Sequence, residues 1–260
     1  MLPDTLVGCS SKSYFDLAGA RAWARHVSAA VRRGDLPGEG LYVCPAFPLI
    51  PVLASELDGT GVDLGAQDVS AHPSGAFTGE VSASLLAELG VRYAMVGHPE
   101  RLAIVADEPA AVPHKIARVA AAGLVPIVIV GEPDRHGDAA PLWRRQLEEG
   151  LRDFPPDGEV VIAYEPTWAI GREQPAPAAH VAEAVETIRR LVAPHCGTSR
   201  VLYGGSARRG TFTDIADAAA ARPPGLPDGI FLGRGGLDPA QFIATALEVH
   251  EARRAVPRAG

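Results

Sequence analysis

Cysteine is scarce in this 260-residue chain: Cys9, Cys44 and Cys196 are far apart and odd in number. That spacing offers neither a metal-ligand set nor a disulfide framework, and it suits reduced thiols. No run of lysines or arginines offers a stripe for a nucleic-acid backbone. Acidic residues outnumber basic ones by 31 to 24, a formal charge of −7, so no nucleic-acid partner is expected. No stretch approaches the roughly 18 apolar residues that a membrane span needs, and no membrane partner is expected. The opening MLPDTLVGCSSK lacks the basic cluster and apolar segment of a leader, so the expected setting is the cytoplasm. The nucleotide-binding patterns GxGxxG and GxxxxGK[ST] are missing, as is any internal repeat beyond the alternation described next.

What the chain does have is the means to bury a large core, with 47% hydrophobic and 21% charged residues. Eight short apolar runs recur: TLVGCS, LYVCPAF, GVDLGAQ, RYAMVGH, LVPIVIVGE, EVVIAYEP, SRVLYGG and DGIFLGR. Helical spacing separates them, clearest over Asp16–Arg33, Ala110–Ala122, Leu142–Arg152, Ala178–Val192 and Pro239–Arg253. Continuously apolar strands joined by helices imply a parallel sheet covered on both faces. An open doubly wound sheet or a closed barrel satisfies this, and the count of eight favours a single (β/α)8 TIM barrel over residues 1–254 with a flexible tail at 255–260. The proline-rich patches at Ala106–Pro113, Pro155–Asp157, Gln174–Pro177 and Arg222–Pro227 read as loops within one domain.

Polar residues gather where the runs end: Lys12, Gln67, His98, Glu132 and Glu165, with the glycine-rich GGS and GRGG. In a barrel these ends share one face. His98, Glu165 and Lys12 would then surround one pocket as a proton carrier, a base and a fixed cation, a set suited to proton transfer beside a carbonyl. Each alone has a plainer explanation: a ring capping the chain, a carboxylate pairing with an arginine, a solvated lysine. YGGSARRG (203–210) and FLGRGGLDP (231–239) follow the last two strands, where barrels hold phosphate on backbone N–H groups. Those groups and Lys12 supply local positive potential, so net acidity does not exclude a phosphorylated substrate.

The segment GAQDVSAHPSGAFTGEVSASLLAELGVRYAMVGHPERL, followed in order by AYEPTWAIG, LYGGSA and DGIFLG, resembles the triosephosphate isomerase family along nearly the whole chain. The resemblance implies a cofactor-independent and metal-independent isomerase of a small phosphorylated sugar. Glu165 would be the base, neutral His98 the carbonyl-polarising proton shuttle and Lys12 the fixed charge. It implies that Glu100 positions the lysine, and that Gly171, Ser206 and Gly233 hold the phosphate. Residues 166–176, with Pro166, Trp168 and Ala176, would form a lid that excludes water and protects the enediolate. Thr78, in the SGAFTGE loop, would approach a partner's lysine site in a homodimer.

Four departures accompany the resemblance. Ser10 stands where the family has asparagine, Pro99 where it has serine, and Arg172 and Glu173 interrupt the lid. Arg234 replaces a phosphate-contacting glycine, free to pair with phosphate, with Glu173 or with neither. SKSYF after the first strand and GR after the eighth are similar to paralogues acting on tetrulose phosphates, such as L-erythrulose-1-phosphate isomerase, and Ser10 would make room for a hydroxymethyl group. The preferred expectation is therefore interconversion of L-erythrulose 1-phosphate and D-erythrulose 4-phosphate. Ordinary triosephosphate isomerisation and a sugar-phosphate-binding paralogue without turnover are the alternatives.

Overall fold

The computed structural model describes residues 1–104 and 109–255. Eight strands, β1 (Leu6–Ser10), β2 (Leu41–Cys44), β3 (Asp63–Ala66), β4 (Val91–Val96), β5 (Val125–Val130), β6 (Glu159–Tyr164), β7 (Thr198–Tyr203) and β8 (Gly229–Leu232), close into a barrel in sequence order. Every pair is parallel, β8 returning to β1 through Leu6 opposite Gly229. The eightfold alternation thus closes as a barrel rather than opening as a sheet.

Two cores follow from the period-2 alternation of side chains. Leu6, Tyr42, Tyr93, Met95, Ile127, Val161, Leu202 and Phe231 fill the barrel interior, with Tyr42 stacked 5.7 Å from Phe231. Gly8 makes this possible, because a Cβ there would lie 2.0 Å from the Tyr42 ring. The alternate residues, such as Val7, Val43, Val96, Val128 and Ile162, meet the surrounding helices in a second, larger core.

Helices α1 (Leu17–Arg32), α2 (Ile50–Leu57), α3 (Ala83–Glu88), α4 (Pro99–Ala103), α5 (Ala111–Ala121), α6 (Ala140–Gly150), α7 (Ala178–Val192), α8 (Thr211–Ala219) and α9 (Pro239–Ala255) fill the connections. Asp16 caps α1 by accepting from the Gly19 N–H at 2.7 Å, and buried Trp23 and Val27 face the sheet. The expected Asp16–Arg33 and Ala110–Ala122 segments lose one residue at each end, Ala178–Val192 forms as read, and Leu142–Arg152 shifts to start at Ala140, where Pro141 fits the first turn.

Two boundaries need correction. The expected loop Ala106–Pro113 gives way to α5 from Ala111; Pro113 is tolerated because first-turn N–H groups have no intrahelical acceptor, while residues 106–108 lie outside the described residues. Ala255, assigned to the tail, is the last residue of α9, and residues 256–260 lie outside the described residues.

Candidate active site

The C-terminal ends of the strands surround a cavity of about 580 Å³. It brings together Ser10, Lys12, His98, Glu100, Glu165, Gly171, Ser206, Gly233 and Arg234, every residue expected at the catalytic and phosphate positions. The inward phase of β1, Leu6–Gly8–Ser10, aims Ser10 into the mouth.

Lys12 follows in a left-handed conformation, φ 44°, which a non-glycine residue adopts only when its surroundings hold it there. Gln67 supplies much of that hold, its amide donating to Lys12 O at 3.0 Å, Cys44 O at 2.9 Å and Ser11 Oγ at 3.3 Å. The Lys12 ammonium forms an ion pair with Glu100, which fixes its direction.

At the end of β4, Gly97 has φ 80°, breaking the alternation so that the next side chain, His98, turns to the cavity. The His98 ring also caps α4: its Nδ1 accepts the Glu100 backbone N–H at 3.1 Å. The plainer capping role is therefore real and has a chemical consequence. An Nδ1 that accepts carries no proton, so the ring's single proton in its neutral form sits on Nε2. Pro99 costs α4 nothing at its first position.

Nε2 faces Glu165 Oε2 at 3.5 Å, and both side chains are buried. The Glu165 backbone is pinned by its N–H to Val130 O at 2.8 Å. Gly204 leaves room for the carboxylate: a Cβ there would lie 2.7 Å from Glu165 Cγ and Oε1. No arginine pairs with Glu165 among the described residues. Together these groups can take a proton from a carbon acid and stabilise the oxyanion that results.

Residues 166–176, the expected lid, follow directly on Glu165. Pro166 precedes a 3-10 turn, Thr167–Ala169, and Trp168 packs its indole away from the cavity, donating to Glu132 Oε1 at 2.8 Å. Glu132 is a buried hub that also accepts from Trp143 Nε1 at 3.0 Å and Tyr164 OH at 3.0 Å, and it lies 3.2 Å from His180 Nε2. Burial pushes its carboxyl up, but the hydrogen bonds from His180, Trp168 and Tyr164 outweigh burial and hold it below the ordinary value. At the other end of the lid, Ala176 N–H donates to Tyr203 OH at 2.8 Å.

Between those anchors the lid meets the loops after β7 and β8. Ser206, itself at φ 55°, donates to Ala169 O at 2.8 Å, and Arg234 donates to Gly171 O at 2.9 Å. Of the three options for Arg234, pairing with Glu173 does not occur among the described residues. Arg208, which sequence reasoning passed over, donates to Glu173 O at 2.8 Å and to Gln174 Oε1 at 3.0 Å. Thr78 lies outside the cavity, exposed on the loop after β3, where His72 and Phe77 stack at 4.2 Å. Among the described residues no group of acidic, histidine and cysteine side chains could hold a metal ion.

A family model described as triosephosphate isomerase matches residues 5–248. The chain belongs to the triosephosphate isomerase family. L-erythrulose-1-phosphate isomerase of Pectobacterium atrosepticum is 34% identical over 248 residues, covering 92% of this chain and 93% of that one. Triosephosphate isomerase of Thermus thermophilus is 41% identical over 212 residues, covering 78% and 82%. The crystal structure of triosephosphate isomerase from Bartonella henselae superposes with a TM-score of 0.78 at 26% identity, covering 96% of this chain and all of that one. The protein is accordingly an isomerase of this family, and its fold is the family's barrel.

Proposed function

We propose that the protein isomerises a short ketose phosphate through an enediolate, with Glu165 as base, neutral His98 as proton carrier and Lys12 as fixed cation. The observation that carries this is the 3.5 Å approach of His98 Nε2 to Glu165 Oε2, both buried, in the same open-mouthed cavity as the Lys12 ammonium. Glu165 removes a proton from the carbon beside the substrate carbonyl. The oxyanion that develops meets the Nε2–H of His98 and the Lys12 charge. His98 then passes its proton between the two oxygens, and Glu165 returns the abstracted proton to the neighbouring carbon. The two carbons exchange oxidation states with each other, so the reaction needs no redox cofactor.

Gly171, Ser206, Gly233 and Arg234 hold the phosphate in this reading, with Glu100 directing Lys12 and residues 166–176 covering the reacting carbons. A four-carbon substrate, L-erythrulose 1-phosphate, is the preferred one. Ser10 supports it, because a short hydroxyl in place of an amide widens the mouth where a hydroxymethyl group would sit, and the Pectobacterium relative is named for that substrate. The second reading is interconversion of dihydroxyacetone phosphate and D-glyceraldehyde 3-phosphate, supported by relatives named triosephosphate isomerase, such as that of Thermus thermophilus at 41% identity. The kcat/KM ratio for L-erythrulose 1-phosphate against D-glyceraldehyde 3-phosphate decides between them. A ratio well above one supports the four-carbon reading, a ratio well below one the three-carbon reading, and no turnover of either a binding protein.

The same reading extends to assembly. A second cavity, about 310 Å³, lies on the other side of Lys12 and is lined by Phe47, Pro48, Gln67, Met95 and Arg101. The projecting loop that carries exposed Phe77 and Thr78 suits such a recess on a second copy, which supports a homodimer. No helix among the described residues is long and apolar enough to cross a membrane, in keeping with a cytoplasmic setting for small-sugar metabolism.

A further inference from the structure

We propose that Arg208 is a positioning residue that latches the lid from the β7 loop, and that with Arg234 it keeps the enediolate from losing its phosphate. The inference rests on the isomerase reading and adds a residue to it. Arg208 is well placed for the task. Its own backbone N–H donates to Thr211 Oγ1 at 3.1 Å, tying it to the start of α8. Its guanidinium then crosses to the lid, donating to Glu173 O at 2.8 Å and Gln174 Oε1 at 3.0 Å. Arg234 adds a second point with its bond to Gly171 O at 2.9 Å.

The choice of acceptors matters. All three are neutral oxygens, and among the described residues neither arginine makes an ion pair, in contrast to Lys12, which is paired with Glu100. A carboxylate partner would fasten the lid equally well while cancelling the charge. Neutral acceptors fasten it and leave two positive charges at the glycine-rich end of the cavity, which both arginines line. A phosphate group bound there is attracted by the same side chains that hold the lid, so occupancy and closure reinforce one another.

An enediolate with phosphate on the adjacent carbon has a competing exit. The oxyanion becomes a carbonyl, the double bond shifts to the neighbouring carbon, and the C–O bond breaks as phosphate leaves with its electron pair. A lid that opens early gives this route time and water.

Two readouts test the latch. The first is inorganic phosphate released per isomerisation, measured for wild type, Arg208→Ala and Arg208→Lys with whichever of the two sugar phosphates the wild type turns over. Losing two hydrogen bonds from a charged group raises that ratio about tenfold in Arg208→Ala, with Arg208→Lys, which keeps a shorter donor, between the two. The second needs no turnover: tryptic cleavage after Arg172, within the lid, in the presence of inorganic phosphate. It accelerates in Arg208→Ala by a similar factor while the melting temperature stays near wild type, because Arg208 is exposed. An unchanged phosphate ratio, or unchanged cleavage after Arg172, overturns the proposal. Wild type inactive toward both sugars defeats the isomerase reading instead and leaves the cleavage experiment to decide the latch.

Discussion

His98 Nε2 and Glu165 Oε2 face each other at 3.5 Å across the barrel mouth, although the two residues come from β4 and β6, which are not neighbours in the sheet. The relationship depends on two glycines. Gly97 turns the histidine inward, and Gly204 leaves the carboxylate its place.

Gly204→Ala tests that dependence. The added methyl group would sit 2.7 Å from Glu165 Cγ and Oε1, within reach of an acidic side chain that can swing aside, so the fold survives while the carboxylate is displaced. A displacement of about 1 Å costs roughly a hundredfold in rate. The expected result is a kcat lower by about that factor with a melting temperature near wild type. Gly8→Ala is the contrasting case: its methyl group meets the fixed Tyr42 ring at 2.0 Å deep in the barrel, and overpacking there destabilises by about 1–3 kcal/mol in a denaturant titration.

Glu132 holds the first turn of residues 166–176, the proposed lid, through Trp168, and its carboxyl is held below the ordinary value. A carboxyl depressed in the folded state stabilises that state fully above its unfolded value of 4.5, and the contribution disappears as pH falls from there through the lowered folded value. Glu132→Gln therefore loses stability at neutral pH, by about 1.5–3 kcal/mol for hydrogen bonds to a charged group, and its deficit relative to wild type narrows on acidification across that window. Parallel urea titrations at neutral pH and below pH 4.5 measure the difference.

Phe77 is 38% exposed on the projecting loop, stacked on His72 beside Thr78. If that loop enters a second copy, Phe77→Asp places a charge in the contact. Sedimentation velocity should then show the wild type as a dimer and the variant as a monomer at the same concentration, with activity reduced because the Lys12 side of the mouth loses its cover.

Lys12, His98 and Glu165 stood out in the sequence by position, each polar side chain ending or closely following a strand whose apolar run marks it plainly, while the roles proposed for them came from the family resemblance. The barrel was legible through the same runs. Helices α2, α3, α4 and α8 were not, since five to nine residues give too few turns to display a helical period. Gln67 and Glu132 stood out as polar residues at strand ends, but their work depends on partners that only the closed barrel brings near, such as Lys12 O for Gln67 and the indoles of Trp143 and Trp168 for Glu132. Arg208 gave no signal: it stands beside Arg209 in ARRG, and only the fold shows that one of the pair reaches the lid.

In the proposed reaction Glu165 moves a proton at the carbon beside the carbonyl. That assignment is tested most directly by running the reaction in D2O and following deuterium by NMR at the product's former carbonyl carbon, which receives the proton, in wild type and Glu165→Gln. Deuterium incorporation with turnover is expected in the wild type, with a rate lower by about 10²–10⁴ in the variant, the usual contribution of a positioned base. Incorporation at the wild-type rate in Glu165→Gln would contradict it.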